Sequence, residues 1–124
     1  MTTKEVQEGI IENMRQWQRV EDASVASTGR AIEKTNNAVI RLVMEIIQAD
    51  SKMHYRVQEM IIKTLEEEPV SLTPDDMTEV WEGIDKHLTL EKQMVDLVEE
   101  TLNDVKNRKM MVPEYLLNYL YTDE

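Results

Sequence analysis

The chain has 124 residues, 25 acidic against 14 basic side chains for a formal charge of −11, and no cysteine. Its length supports one domain with a modest core, and 41% hydrophobic residues with three Gly and three Pro place it among globular, folding sequences. The negative field repels phosphate backbones and anionic lipid, which argues against nucleic-acid and membrane-surface partners. The missing thiols exclude disulfides and thiolate metal sites, leaving carboxylates and two histidines as metal ligands.

The start, MTTKEVQEG, has neither the basic stretch nor the apolar core of a signal peptide. No apolar run reaches the roughly 18 residues of a membrane span. A cytoplasmic location is expected. Helical spacing then begins at Thr3 and runs to Thr35, with Val6, Ile10, Met14, Trp17, Glu21, Ser24, Thr28 and Ile32 as inward candidates. Arg30 and Lys34 suit a helix C-terminus, and Thr35-Asn36-Asn37 is polar and turn-prone. A second helix is predicted from Ala38 to Glu67, carrying Val39, Val43, Ile46, Ile47, Asp50, His54, Val57, Ile61 and Leu65 on one face.

Pro69 stops that helix. Thr73 as N-cap, Pro74 at the first helical position, and Asp75 and Asp76 at the positive end of the dipole start the third. Its stripe is Met77, Val80, Ile84, His87, Glu91, Met94, Val98, Leu102 and Val105, ending near Asn107-Arg108-Lys109. After Met110 and Pro113 the segment PEYLLNYLYTDE is again helical in pattern, but 12 residues reach only about 18 Å against about 45 Å for a 30-residue helix. The fold class expected is all-α: an antiparallel bundle of three long helices and a short or truncated fourth, one domain over residues 1–124 built from hairpins 3–67 and 74–124. A weak internal repeat supports two related hairpins, since aligning Glu21 with Glu91 puts Trp17 over His87.

Asp50 and His54 lie four residues apart, as do His87 and Glu91, so each pair shares a helix face about one turn apart and could share a metal. Each falls within an apolar stripe, as does Glu21 on the first helix. Burying an unpaired carboxylate or imidazole costs several kcal/mol, so such groups must be neutralised by mutual hydrogen bonds, protonation or a cation. Imidazole with several carboxylates suits iron, manganese or zinc better than calcium. Buried hydrogen-bonded pairs, or partly solvated helix pairs, are the competing account. Asp123 and Glu124, at the chain end, extend the acidic pattern. Trp17, Trp81 and the tyrosines read as packing residues, and nine methionines as irregular core filler in a chain without phenylalanine.

Through EKTNNAVIRLVMEIIQADSKMHYRVQEMI and IDKHLTLEKQMVDLVEE the sequence resembles the ferritin-like, rubrerythrin-type superfamily of four-helix bundles. In that family each hairpin brings a Glu from its first helix and an acid-plus-histidine motif from its second to a metal pair. The resemblance implies Glu21 as the first-helix acid, Asp50 and His54 as the second-helix motif, Glu91 as the third-helix acid and His87 as an additional group near the metal. It implies one iron or a di-iron pair, with manganese or zinc as alternatives, and oxygen or peroxide handling. Two departures stand out: Asp-x-x-x-His replaces Glu-x-x-His, and the sequence stops at Asp123-Glu124 before any fourth-helix histidine, which predicts a truncated chain or a partly lost site. The alternative function is a non-catalytic bundle with a degenerate metal site, acting by self- or partner-association as a homo-oligomer such as a dimer. Its expected sign is apolar surface beside Leu116, Leu117 and Leu120.

Overall fold

The computed structural model describes residues 1–66, 72–106, 108 and 110–123, the last by its backbone alone. Pro69, Glu67, Asn107, Lys109, Glu124 and the Asp123 side chain, all used above, lie outside the described residues. Those residues form four α-helices and, among them, no strand: α1 Thr3–Lys34, α2 Ala38–Glu66, α3 Pro74–Val105 and α4 Met111–Asp123. No described helix is long and apolar enough to cross a membrane. The chain divides into two units, residues 1–71 and 72–124, each a helical hairpin.

Local chemistry sets the helix starts. Thr2 caps α1 by accepting from the Glu5 amide at 3.1 Å. Asn37 does the same for α2, its Oδ1 accepting from Val39 at 2.9 Å and Ile40 at 3.2 Å, while the Thr35 hydroxyl accepts from the Asn37 amide and closes the link. At α3 the predicted cap is a full capping box: the Asp76 amide donates to Thr73 Oγ1 at 3.1 Å, and the Thr73 amide donates back to Asp76 Oδ2 at 3.0 Å.

In the first hairpin the helices run antiparallel, since the partners of Arg15, Gln18 and Ser24 on α2 are Glu66, Glu59 and Ser51 in turn. The covered positions of α1 step by fours and threes through Ile11, Met14, Gln18, Glu21, Val25, Thr28 and Ile32. Those of α2 step through Met44, Gln48, Ser51, Tyr55, Gln58, Ile62 and Leu65. This is a heptad seam. Its fully buried members are mostly polar: Gln18, Glu21, Thr28, Ser51 and Gln58 beside Ile62. Gln18 Nε2 donates to Glu59 Oε2 at 2.9 Å, the Ser24 and Ser51 hydroxyls share a bond of 2.8 Å, and Gln48 Nε2 donates to the Val25 carbonyl at 3.2 Å.

The predicted inward stripes coincide with the seam in part: Met14, Glu21, Ser24, Thr28 and Ile32 on α1 and Val39, Val43, Ile46 and Leu65 on α2 are covered. Val6, Ile10, Trp17, Ile47, Asp50, His54, Val57 and Ile61 are exposed, Trp17 by 52% and Val57 by 53%. The reason is geometric: one neighbouring helix covers about two positions in seven, whereas these helices carry a stripe of about three in seven.

In the second hairpin α4 packs against the C-terminal half of α3, where Val98 is buried and Val95, Leu102 and Val105 are half-buried. Tyr121 ties the two together, donating its hydroxyl to Glu99 Oε1 at 3.0 Å, and that bond raises the phenol above its ordinary pKa.

Thr73→Ala should destabilise α3 by about 1 kcal/mol. Asp76 is held below the ordinary carboxylate range, first by its bond from the Thr73 backbone. A depressed folded-state pKa gives stability that is complete above the unfolded value and lost as pH falls through the folded one. Amide protection in the first turn of α3, measured relative to the intrinsic exchange rate at each pH, should therefore fall below about pH 4, and Asp76→Asn should flatten that dependence.

Candidate functional site

Glu21 and His54 meet where the seam of the first hairpin opens onto its bare face. Glu21 is a seam residue near the middle of α1, and its side chain is 90% buried, at 10% exposure; His54, near the middle of α2, is 61% exposed. Glu21 Oε2 stands 3.5 Å from His54 Nδ1, close enough for an ion pair and too long for a good hydrogen bond. That oxygen is buried and accepts no hydrogen bond among the described residues, and the same holds for Gln58 Oε1. A carboxylate oxygen in such a place lacks the compensation that buried charge requires.

Asp50, one turn before His54, is exposed and makes no hydrogen bond or ion pair among the described residues. Beside His54 lies an open groove of ≈ 290 Å³ lined by Met14, Trp17, Val57, Gln58 and Ile61. A larger depression of ≈ 550 Å³ at the start of α4 has Glu114 as the one charged side chain among its lining residues and no histidine.

At 100° per residue, the α1 face within about 60° of Trp17 runs from Val6 to Ile32 with Glu21 as its one charged side chain. The α2 face about His54 runs from Val39 to Leu65 and holds no ionisable group besides Asp50 and His54. Charged residues are 31% of the chain, so a face of eleven positions drawn at random would carry about three. These faces are depleted of charge except at the predicted ligands.

The second hairpin repeats the pattern. The α3 face about Ile84 holds only His87 and Glu91 as ionisable groups between Met77 and Val98. His87 Nε2 lies 2.6 Å from Glu91 Oε1, with the two side chains 63% and 26% exposed. An ionised carboxylate only accepts, so Nε2 carries the proton and the lone pair of neutral His87 sits on Nδ1. A carboxylate that orients a histidine by its far nitrogen is how many metal-ligating histidines are held. Glu91 thus positions His87 in this arrangement.

The structure places Glu21 and His54 together, and His87 and Glu91 together. Asp50 joins neither pair. Among the described residues no three His, Asp or Glu side chains gather closely enough to hold an ion by themselves. The sequence reading passed over Gln58 and the polar partners Gln18, Ser51 and Glu59. The spacing Ile11, Met14, Gln18, Glu21, Val25, Thr28 is the signal that would have found the seam, but its polar members hid it behind the more apolar stripe alongside.

Compared with family models, curated proteins and solved structures, the chain matches none.

An uncompensated buried carboxylate weakens a fold, and an apolar residue of similar size relieves it. In metal-free protein Glu21→Leu should raise the unfolding free energy by about 1–2 kcal/mol in urea denaturation, whereas a fall would show that the carboxylate has a stabilising partner.

Proposed function

We propose that the chain is a ferritin-like metal-binding protein in which Glu21, Asp50, His54, His87 and Glu91 supply ligands, or orient them, for one or two ions of iron, with manganese or zinc as alternatives. The observation that carries this reading is the Glu21 carboxylate: 90% buried, one oxygen without a hydrogen bond, and 3.5 Å from an imidazole nitrogen. A cation supplies what that oxygen lacks. The donor set is carboxylate and imidazole with no thiolate, which fits iron, manganese and zinc alike. When bound, such an ion supplies Lewis acidity and, for iron or manganese, electron transfer suited to oxygen or peroxide.

The chain's own residues have separable roles in this account. Glu21 holds negative charge where water is largely excluded. His54, at the rim, controls access to it. Glu91 fixes the tautomer of His87, while Glu21 also borders a second open groove that Lys52 and Arg56 line. A second reading, a non-catalytic bundle that works by association, is favoured by the apolar side chains left bare on α3, among them Trp81 at 63% exposure and Leu88 at 56%.

Equilibrating metal-free protein with Fe(II) under argon, or with Mn(II) or Zn(II), tests the metal reading. Binding near stoichiometric by elemental analysis should accompany a rise in thermal midpoint that grows with the logarithm of free metal. His54→Ala should weaken binding at least tenfold, and Glu91→Gln less, since the amide oxygen can still accept from His87. Wild-type protein that retains no metal and shows no midpoint shift at millimolar concentrations of all three ions would sink the proposal.

A further inference from the structure

The α3 helix carries one heptad seam of nine positions, Met77, Trp81, Ile84, Leu88, Glu91, Val95, Val98, Leu102 and Val105, of which only the second half is covered. From Val95 onward α4 lies against it. In the first half Met77 is 45%, Trp81 63%, Ile84 43% and Leu88 56% exposed. A stripe of this length without a neighbour in its own hairpin is a surface suited to another helix.

We propose that residues 74–91 of α3 pair antiparallel with the same residues of a second copy of this chain, about a two-fold axis between Trp81 and Ile84. This deepens the association reading and does not depend on metal. Three features of the segment single out a second copy. The first is self-complementarity: in an antiparallel register that layers the two kinds of seam position against each other, Trp81 meets Ile84 of the copy and Met77 meets Leu88, so each layer sets one larger residue on one smaller or equal.

The second is charge. Although the segment is acidic, Asp75, Asp76, Glu79 and Glu82 fall on the outer heptad positions, and the positions flanking the seam within it are Thr78, Val80, Asp85 and His87. Asp85 faces Thr78 of the copy, so no two like charges meet beside the seam. Lys92 of each copy comes within one turn of Asp75 and Asp76 of the other, and the opposed helix dipoles add to this. A parallel pair would instead stack the acidic first turns together.

The third is size. The four exposed seam side chains and Val80 from each copy can bury at most on the order of 1,000 Å² in total, the lower end of the range for a specific interface. The pairing also ends at Glu91, before the stretch that α4 covers.

Sedimentation equilibrium of the full chain from 1 to 200 μM, with helix content followed by circular dichroism, reads the association. A monomer–dimer equilibrium is expected, with Trp81→Glu weakening it at least tenfold at unchanged helix content and Thr89→Glu, off the seam, leaving it unaltered. Cysteine cross-linking then fixes the register. Met77 and Leu88 lie about 16 Å apart along the helix, beyond disulfide reach. A mixture of Met77→Cys and Leu88→Cys chains should therefore oxidise to a mixed dimer, while either variant alone should not. A monomer throughout the range overturns the proposal. So does a dimer indifferent to Trp81→Glu, which would place association on another surface, and so does a Met77→Cys homodimer, which would make the pairing parallel.

Discussion

Everything in this fold follows from a mismatch between the width of the apolar stripe on each helix and the single neighbour that each helix has within its hairpin. A helix with apolar residues at three positions in seven can satisfy about two of them against one partner. The seam of the first hairpin satisfies its two with glutamines, serines and threonines, and leaves the third, made of Ile10, Trp17, Val57 and Ile61, at the surface. Buried apolar side chains are correspondingly scarce: among the described residues only Ile62 and Val98 are buried, and Ile62 alone fully so.

The same mismatch explains why Glu21 is chemically distinctive. It belongs to the seam by burial and to the bare face by direction, so it loses water on one side without gaining donors on the other. Gln18, one turn earlier, escapes this because Glu59 and the Tyr55 carbonyl accept from its amide. His87 and Glu91 escape it by bonding each other at a more exposed point of α3. Of the three candidate acids, then, Glu21 is the most buried, and one of its oxygens accepts no hydrogen bond among the described residues.

Much of this was legible in the sequence because it rests on local signals. Thr73-Pro74-Asp75-Asp76 announced the start of α3, Thr35-Asn36-Asn37 the link between α1 and α2, and the four-residue spacing of His87 and Glu91 their contact. What escaped was where the packed face is centred: the predicted stripes include Met14, Glu21, Ser24 and Thr28 but pass over Gln18, Ser51 and Gln58. Hydropathy favours the stripe through Trp17 and Val57, whereas hydrogen bonding favours the seam through Gln18, Gln48 and Ser51, and an apolar count along the chain is blind to the second. The pairing of Glu21 with His54 crosses between helices, so it depends on a register that Ser24–Ser51 and Gln18–Glu59 set and that no spacing within one helix encodes.

The two hairpins consequently divide specification from adhesion. Polar seams hold register because a slip of one heptad breaks the cross-helix bonds of Gln18, Ser51 and Gln48, at a cost of about 1–3 kcal/mol for each group left buried and unpaired. They add little attraction of their own. The seam of α3 has the opposite character: Met77, Trp81, Ile84 and Leu88 provide attraction with no hydrogen bond to set a register, and the first polar seam position is Glu91, already engaged by His87. A surface of that kind is specified by shape, and the indole of Trp81 is its one large feature. The first hairpin fixes where Glu21 and His54 stand, and the second leaves an apolar stripe of α3 without a neighbour in its own hairpin.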